Sequence, residues 1–331
     1  LVIGALDVKS AAAHFTAIAD CCIEALLPAA RAETERLLGS IAGGVAVIGL
    51  GRLGAGAMTA SSDIDLIFVY DAPEGAQSAG PRPAEANVWY PKLVRRALAA
   101  LSATTEEGTL FEVDMQLRPS GGAGPTAVSL SAFEKYYAAD AWTWEAMALL
   151  KARVVAGDPD VAAKVRTMID AVLKRARPRP RLAADVADMR NRLEGARRAT
   201  SPWDVKFAAG GFADLDFTLE FLALAEGPKR SGPRQKTGEL IKTLENQSAL
   251  AKNDAAALMA AGELFETIMQ LSRAATGGVF DPNASGEALK ARMAAALGAA
   301  GIAEAEEMLE GRLKEVRRLY EKIVVAEALG S

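Results

Sequence analysis

One stretch limits the fold more than any other: GLGRLGAGAMTASSDID, residues 49–65, which places Gly49, Gly51, Gly54 and Gly56 ahead of Asp63 and Asp65. So many glycines disfavour both helix and sheet interiors, so the stretch must contain a turn. The short apolar run Val45-Ala-Val-Ile48 precedes it and the β-branched, aromatic run 64–70 (IDLIFVY) follows, which predicts strand, glycine turn, strand. Along a strand, positions i and i+2 share a face, so Asp63 and Asp65 lie a few ångströms apart and repel unless a cation lies between them. An isolated pair of this kind is more often the solvated end of a strand. Here a third expected strand, 109–117 (TLFEVDMQL), carries Glu112 and Asp114 at the same spacing and can bring one more carboxylate to the pair.

A few hard oxygen ligands, leaving positions open for phosphate and water, suit Mg²⁺ or Mn²⁺. The bare turn lets backbone N–H groups approach the β- and γ-phosphates of a nucleotide, with Arg52 and Arg118 as bidentate donors to phosphate oxygens or, equally, as surface arginines. Together these parts point to nucleotidyl transfer. A competing fit is the dinucleotide fingerprint, since Gly49, Gly51 and Gly54 match GxGxxG and Asp71 follows about 20 residues later as a ribose-binding acid would. That fold needs a full crossover helix between its first two strands, and 52–62 is too short and too rich in Gly, Ser and Thr to supply one.

The chain has 331 residues, half of them hydrophobic, and a net charge of -4, so no general field attracts a nucleic-acid backbone, although Lys174 to Arg181 is locally basic. Adjacent Cys21 and Cys22 with the single His14 cannot form a four-ligand zinc site or a disulfide framework, which favours a reducing cytoplasm. No run approaches about 18 apolar residues without a charge or break, and the opening residues 1–10 lack a signal-peptide pattern, so a soluble protein without a membrane partner is expected. The first residue is leucine, so the chain is expected to be a piece of something longer.

The predicted architecture is α+β. Apolar Ala11, Phe15, Ile18, Cys22, Leu26 and Ala29 predict a leading helix or helix pair over 9–38. Residues 71–86 read as a flexible loop, and 87–104 as a helix. Alternation in the third strand sets Leu110, Val113 or Met115 against a core, and a turn follows at 119–125. Ser131 and Glu134 form an expected capping box, helix continues through 141–156, and Asp158-Pro159 opens another. Prolines 178 and 180 in the basic stretch 174–181 mark a linker. The expected units are therefore a nucleotidyltransferase domain (1–157), a connecting helix and linker (158–181) and a helical bundle (182–331). Its last helix, 302–329, buries Leu309, Leu313, Val316, Tyr320 and Ile323.

Four ordered segments carry a resemblance: 49–68, 111–121 (FEVDMQLRPSG), 141–145 (AWTWE) with Lys151-Ala-Arg153, and 210–217 (GGFADLDF). With them the chain resembles, over nearly its whole length, the glutamine synthetase adenylyltransferases of the DNA polymerase β-like nucleotidyltransferase superfamily. Members carry two similar halves, one attaching and one removing AMP on a tyrosine of glutamine synthetase, and the 118–121 and 141–145 motifs resemble the attaching, C-terminal half. The resemblance implies ATP as substrate, metal binding by Asp63 and Asp65, and Asp114 completing the carboxylate triad. It places Gly51 and Ser62 in the phosphate-binding turn and Arg118, Ser120 and Gly121 in a nucleotide motif. Three departures stand out: Arg52 where lysine is usual, Asp216 where glutamate is usual, and Ala146-Met147 where histidine and glutamine are common.

Other residues have two readings each. Trp142 and Trp144 are core packing sooner than an adenine platform, and Lys151 and Arg153 reach phosphate or are solvated helix charges. Asp214 and Asp216 are functional acids or simply the acids expected in a first helical turn. His14 reads as structural or exposed, and the cysteines as buried small hydrophobes. The implied reaction is AMP transfer to glutamine synthetase, with a PII signal protein as a further partner. The alternatives are phosphorolytic removal of AMP, a non-catalytic regulatory module, and, remotely, a dinucleotide-binding oxidoreductase.

Overall fold

The computed structural model describes residues 6–227 and 236–330. The expectations for 1–5 of the opening segment, and for 228–235 within the bundle, lie outside the described residues.

The chain opens with α1 (Val8–Leu38), β1 (Gly44–Gly49), the short α2 (Gly51–Ala55), β2 (Ile64–Asp71) and α3 (Ala86–Leu101). A two-stranded hairpin, β3 (Thr104–Thr105) and β4 (Gly108–Thr109), leads to β5 (Val113–Asp114) and β6 (Ala127–Ser129). Then come α4 (Leu130–Ala139), α5 (Thr143–Leu149), β7 (Arg153–Gly157) and α6 (Pro159–Leu173). The remainder is helical: α7 (Arg179–Ala196), α8 (Phe212–Ala225), α9 (Thr237–Asn246), α10 (Lys252–Thr276), α11 (Glu287–Leu297) and α12 (Ile302–Tyr320). The fold is α+β, as expected, with a small mixed sheet.

In that sheet β1 lies between β2 and β7, antiparallel to both, while β5 and β6 both pair in parallel with β2. Both faces are covered, which is why β1 and β2 read as nearly continuous apolar runs. Val45, Val47, Leu66 and Phe68 meet α1 and α3, whereas Ala46, Ile48, Ile67 and Val69 belong to the core shared with α6 and the helical bundle. Asp65 falls in the odd-numbered row with Ile67 and Val69, so the fold turns it toward the bundle. The antiparallel β1–β2 pair also excludes the dinucleotide reading, which requires these two strands to be parallel.

Several expectations need correction. The stripe on α1 is rotated by one residue: Thr16, Ala19, Ile23, Leu27 and Ala30 are buried, while Ile18 and Ala29 are exposed. An alanine-rich helix has adjacent small-residue columns, and only the tertiary contacts choose between them. By length and mean hydropathy α1 is long and apolar enough to cross a bilayer even though Asp20 and Glu24 interrupt its apolar residues, and its buried column packs on the sheet-side core. Cys21 is exposed and Cys22 half-buried. Residues 71–86 are pinned, because the buried Ser78 donates to the Leu38 carbonyl (2.6 Å) and accepts from the Ala84 N–H (3.0 Å).

The expected third strand shrinks to Val113–Asp114, and Leu110 is 60% exposed while Phe111 is buried. The α4 helix starts two residues early, with Ser129 rather than Ser131 accepting the capping N–H, from Ala132. Residues 153–157 form a strand instead of continuing a helix, since β-branched Val154 and Val155 fit beside β1. Asp158 does precede α6, with proline next, but its carboxylate accepts from the Val45 N–H (2.7 Å) and Arg31 (2.9 Å) rather than capping the helix. In the terminal helix a π turn at Glu321–Val325 advances the buried stripe from Tyr320 to Val324, leaving Ile323 half-buried.

Candidate active site

The site lies where the sheet runs out. The turn after β1 folds back through α2, whose first residue, Gly51, has φ +50°. A methyl group on Gly51 would collide with the Asp65 carboxylate, so the bare turn is required by its contact with that acid. The buried Ser62 closes the turn, accepting from the Thr59 N–H (2.9 Å), with the two hydroxyls 2.8 Å apart. The chain then enters β2 through Asp63.

Parallel pairing of β5 with β2 sets Asp114 beside Asp65 in register. One carboxylate oxygen from each of Asp63, Asp65 and Asp114 falls within a 4.8 Å cluster, with Asp63 exposed and the other two half-buried. Burial first, then the charges of Asp63 and Asp114, push the Asp65 pKa up to about 6, with Lys206 opposing. Like charges crowded in this way need a cation, and an all-oxygen set open on one side is the chemistry of Mg²⁺ or Mn²⁺. Glu112 is exposed and outside the cluster; its backbone carbonyl accepts from the Ile64 N–H (2.9 Å).

The cationic candidates separate by partner. Arg52 is paired with Glu266 at 2.6 Å. Arg118 spends its guanidinium on its own loop, donating to the carbonyls of Met115 (2.7 Å), Gly122 (3.1 Å) and Gly124 (3.2 Å). That loop leaves the sheet edge between β5 and β6 and holds Ser120 and Gly121 at φ +64° and +54°. A serine in the left-handed region is uncommon and marks a tightly determined loop.

Lys151, between α5 and β7, pairs with Asp216 (2.7 Å) and Glu220 (3.1 Å). Those two carboxylates raise its pKa despite the cost of burial, while burial lifts Glu220 to about 7. Arg153, on β7 and not on a helix, donates to Asp20 (2.7 Å) and the Leu53 carbonyl (3.2 Å). Asp214 is fully buried, accepting from Arg190 and the Gly210 N–H, with Arg317 at 3.3 Å. These contacts give Lys151, Arg153, Asp214 and Asp216 structural work inside ion pairs. Trp142 is 70% exposed, against the expectation of core packing; Trp144 is half-buried. Glu145 is buried and accepts from Tyr136 (2.8 Å) and the Trp142 N–H (2.8 Å).

Two cations at the triad are missing from the sequence analysis. Lys206 and Arg273 come from the helical part and interact electrostatically with Asp63. Lys206 is exposed, lies over the Phe207 ring (5.0 Å) and, among the described residues, is in no ion pair; local desolvation and then Arg273 hold its pKa down, with Asp63 and Asp65 opposing. Burial and then Arg52 likewise lower Arg273, which donates to the Ser61 carbonyl (3.0 Å). The available signal for Lys206 was its position just before the Gly210-Gly211 motif; Arg273 is one of many helical arginines and carried none.

Comparison with known proteins identifies the family. The family model for glutamate-ammonia ligase adenylyltransferase matches residues 2–168. Over 97% of its length the chain is 39% identical to a protein of Caulobacter vibrioides, covering 33% of it, and over 98% it is 39% identical to one of Agrobacterium fabrum, again covering 33%. Both relatives are described as bifunctional glutamine synthetase adenylyltransferase/adenylyl-removing enzymes. The chain thus spans about a third of the length of these curated relatives. With the family model covering half of the chain, including both strands that carry the aspartates, the chain belongs to the glutamate-ammonia ligase adenylyltransferase family.

Proposed function

We propose that this chain transfers AMP from ATP to a tyrosine hydroxyl of glutamine synthetase and releases pyrophosphate. The observation that carries this is the Asp63–Asp65–Asp114 cluster beside a turn in which no side chain stands at Gly51. Asp63 and Asp65 would hold Mg²⁺ or Mn²⁺, with Asp114 completing the set nearest the nucleophile. Bound there, the ions would lower the pKa of the attacking hydroxyl and neutralise charge on the phosphates. The tyrosine oxygen attacks the α-phosphorus, the bond to the bridging oxygen of the pyrophosphate breaks, and Asp114 is placed to accept the hydroxyl proton. Gly51 and Ser62 shape the turn over the triphosphate. Lys206, which among the described residues lies over the Phe207 ring (5.0 Å) and in no ion pair, would meet its charge, whereas Arg52 would first have to leave Glu266.

Ser120 and Gly121 hold the Arg118 loop between β5 and β6, and on this reading the nucleotide base or sugar would lie beside that loop. Residues 1–157 form the transfer domain on this reading, 158–181 the connection, and 182–331 the bundle that backs it. A cytoplasmic location fits a cytoplasmic substrate enzyme, and a PII signal protein is the regulatory partner that this role suggests.

The test is intact-mass spectrometry of glutamine synthetase after incubation with the chain, ATP and Mg²⁺ or Mn²⁺, beside an Asp63→Asn/Asp65→Asn double variant. A gain of one AMP that disappears with the folded double variant is expected. An unmodified synthetase, with the chain folded and ATP bound, overturns the proposal. Loss of AMP from already modified synthetase in the presence of phosphate would instead identify the removing activity.

A further inference from the structure

The segment from Gly56 to Asp63 contains no helix and no strand, yet it ends on the most exposed member of the triad. With no ladder of its own, it depends on side chains for its shape. The Met58 N–H is taken by Thr16 of α1 (3.4 Å) and Thr59 by Ser62 within the segment, while α10 answers the Met58 and Ser61 carbonyls. Glu266, Gln270 and Arg273 stand at i, i+4 and i+7 on α10 and therefore share a face. Glu266 receives Arg52 at the start of the glycine turn (2.6 Å). Gln270, fully buried, donates from one amide nitrogen to the Met58 carbonyl (2.8 Å) and to Glu266 (3.0 Å). Arg273 donates to the Ser61 carbonyl (3.0 Å) and hydroxyl (3.3 Å), two residues before Asp63. Flanking and opposite positions of α10 are fixed in the bundle core through Leu258, Phe265 and Ile268.

We infer that this face of α10 is a clamp that positions the metal-binding aspartates, making Glu266, Gln270 and Arg273 positioning residues for the reaction. The inference rests on the functional reading above only in taking the triad as a metal site. A buried glutamine is a costly way to pack two surfaces, because its carbonyl oxygen has no partner here. What it provides that an apolar residue cannot is a fixed direction for the Met58 carbonyl in the middle of the turn. The contacts fall at Arg52 ahead of the segment, at Met58 within it and at Ser61 near its end, so α10 is coupled to the placement of Asp63, whereas the β2–β5 pairing holds Asp65 independently. Through this clamp the helical part acts on the geometry of a site whose ligands come from β2, β5 and the turn that leads into β2.

The experiment measures Mn²⁺ affinity of the whole chain by titration calorimetry, amide hydrogen exchange over residues 56–63, and the kcat and KM of AMP transfer. The variants are Arg273→Ala, Arg273→Lys and Gln270→Leu. Removing an outer partner of a metal ligand typically costs about 10–100-fold in affinity or activity. Arg273→Ala should speed exchange over 56–63 and lower kcat about tenfold, while leaving KM for glutamine synthetase unchanged, and Arg273→Lys, which keeps the charge beside Asp63 and a donor to Ser61, should restore most of each; Gln270→Leu, which leaves that charge in place, should weaken Mn²⁺ binding about tenfold. Because Gln270 is buried, its variant is judged only alongside the half-exposed Arg273 variants. Unchanged exchange over 56–63 in a folded Arg273→Ala chain overturns the clamp, as does unchanged Mn²⁺ affinity in a folded Gln270→Leu chain. A wild-type chain that binds Mn²⁺ but leaves glutamine synthetase unmodified overturns only the AMP-transfer reading, and the Mn²⁺ and exchange measurements still decide the clamp. A wild-type chain that binds no Mn²⁺ overturns both.

Discussion

The Asp63–Asp65–Asp114 triad and the Asp214 centre in the bundle are built from the same residue type, each next to glycines, and they differ in what answers the charge. Asp214 is completely buried and compensated by Arg190, Arg317 and the Gly210 N–H. The triad keeps its carboxylates together with one of them exposed, and Asp65 is pushed up to about 6. An acid whose partners are already in the chain is structure; acids that repel one another at an opening await something from outside.

The largest test of this contrast is activity. Asp63→Asn with Asp65→Asn should reduce AMP transfer by about 10³-fold or more, since metal stabilisation of transition-state charge contributes several kcal/mol and each 1.36 kcal/mol is tenfold. Intact-mass kinetics on glutamine synthetase check it, and a folded double variant that retains transfer would break the comparison. The reverse expectation holds for stability. Asp214→Ala leaves the buried Arg190 unpaired and should cost about 3–5 kcal/mol in urea unfolding, where the double variant at the triad costs none.

A smaller effect carries the opposite sign. The pKa of Asp65 is raised on folding, from 3.8 to about 6, so its favourable contribution is fully present below the unfolded value and is lost as pH rises through about 6. In EDTA at pH 8, Asp65→Asn should therefore stabilise the chain by about 1–2 kcal/mol, a figure reduced for partial exposure, and thermal melts should show the gain vanish near pH 4. Loss of stability in this variant at pH 8 would mean that repulsion in the triad is already relieved. The smallest effect belongs to Trp142, which is 70% exposed: Trp142→Ala should change unfolding stability by no more than about 0.5 kcal/mol, although the tryptophan sits in one of the sequence motifs.

Much of the site was legible. The glycine turn and the Asp63-x-Asp65 spacing needed only steric and alternation rules, and the structure places Gly51 against Asp65 for the steric reason that makes glycine necessary there. Asp114 was legible as a neighbouring-strand acid, but its equivalence to Glu112 was not resolved until the pairing Asp65↔Asp114 set the register. The strand β7 was read as helix because five residues beside an alanine-rich helix give too short a pattern to separate the two periods. Glu266, Gln270 and Arg273 were not legible as site residues, since nothing local distinguishes a helical side chain facing the triad from one facing solvent, and Lys206 was marked only by its place before Gly210-Gly211.

The sequence by itself determined the α+β class, the turn that must be glycine and the pair of aspartates that must share a face, because each follows from backbone sterics or from the twofold period of a strand. The tertiary structure decided which charges stay unanswered. Arg52, Arg153, Lys151 and Asp214 find partners between 24 and 214 positions away, so their charges are already paired in this structure. Charge pairing over such separations depends on distances of a few ångströms in space, which no spacing along the chain encodes.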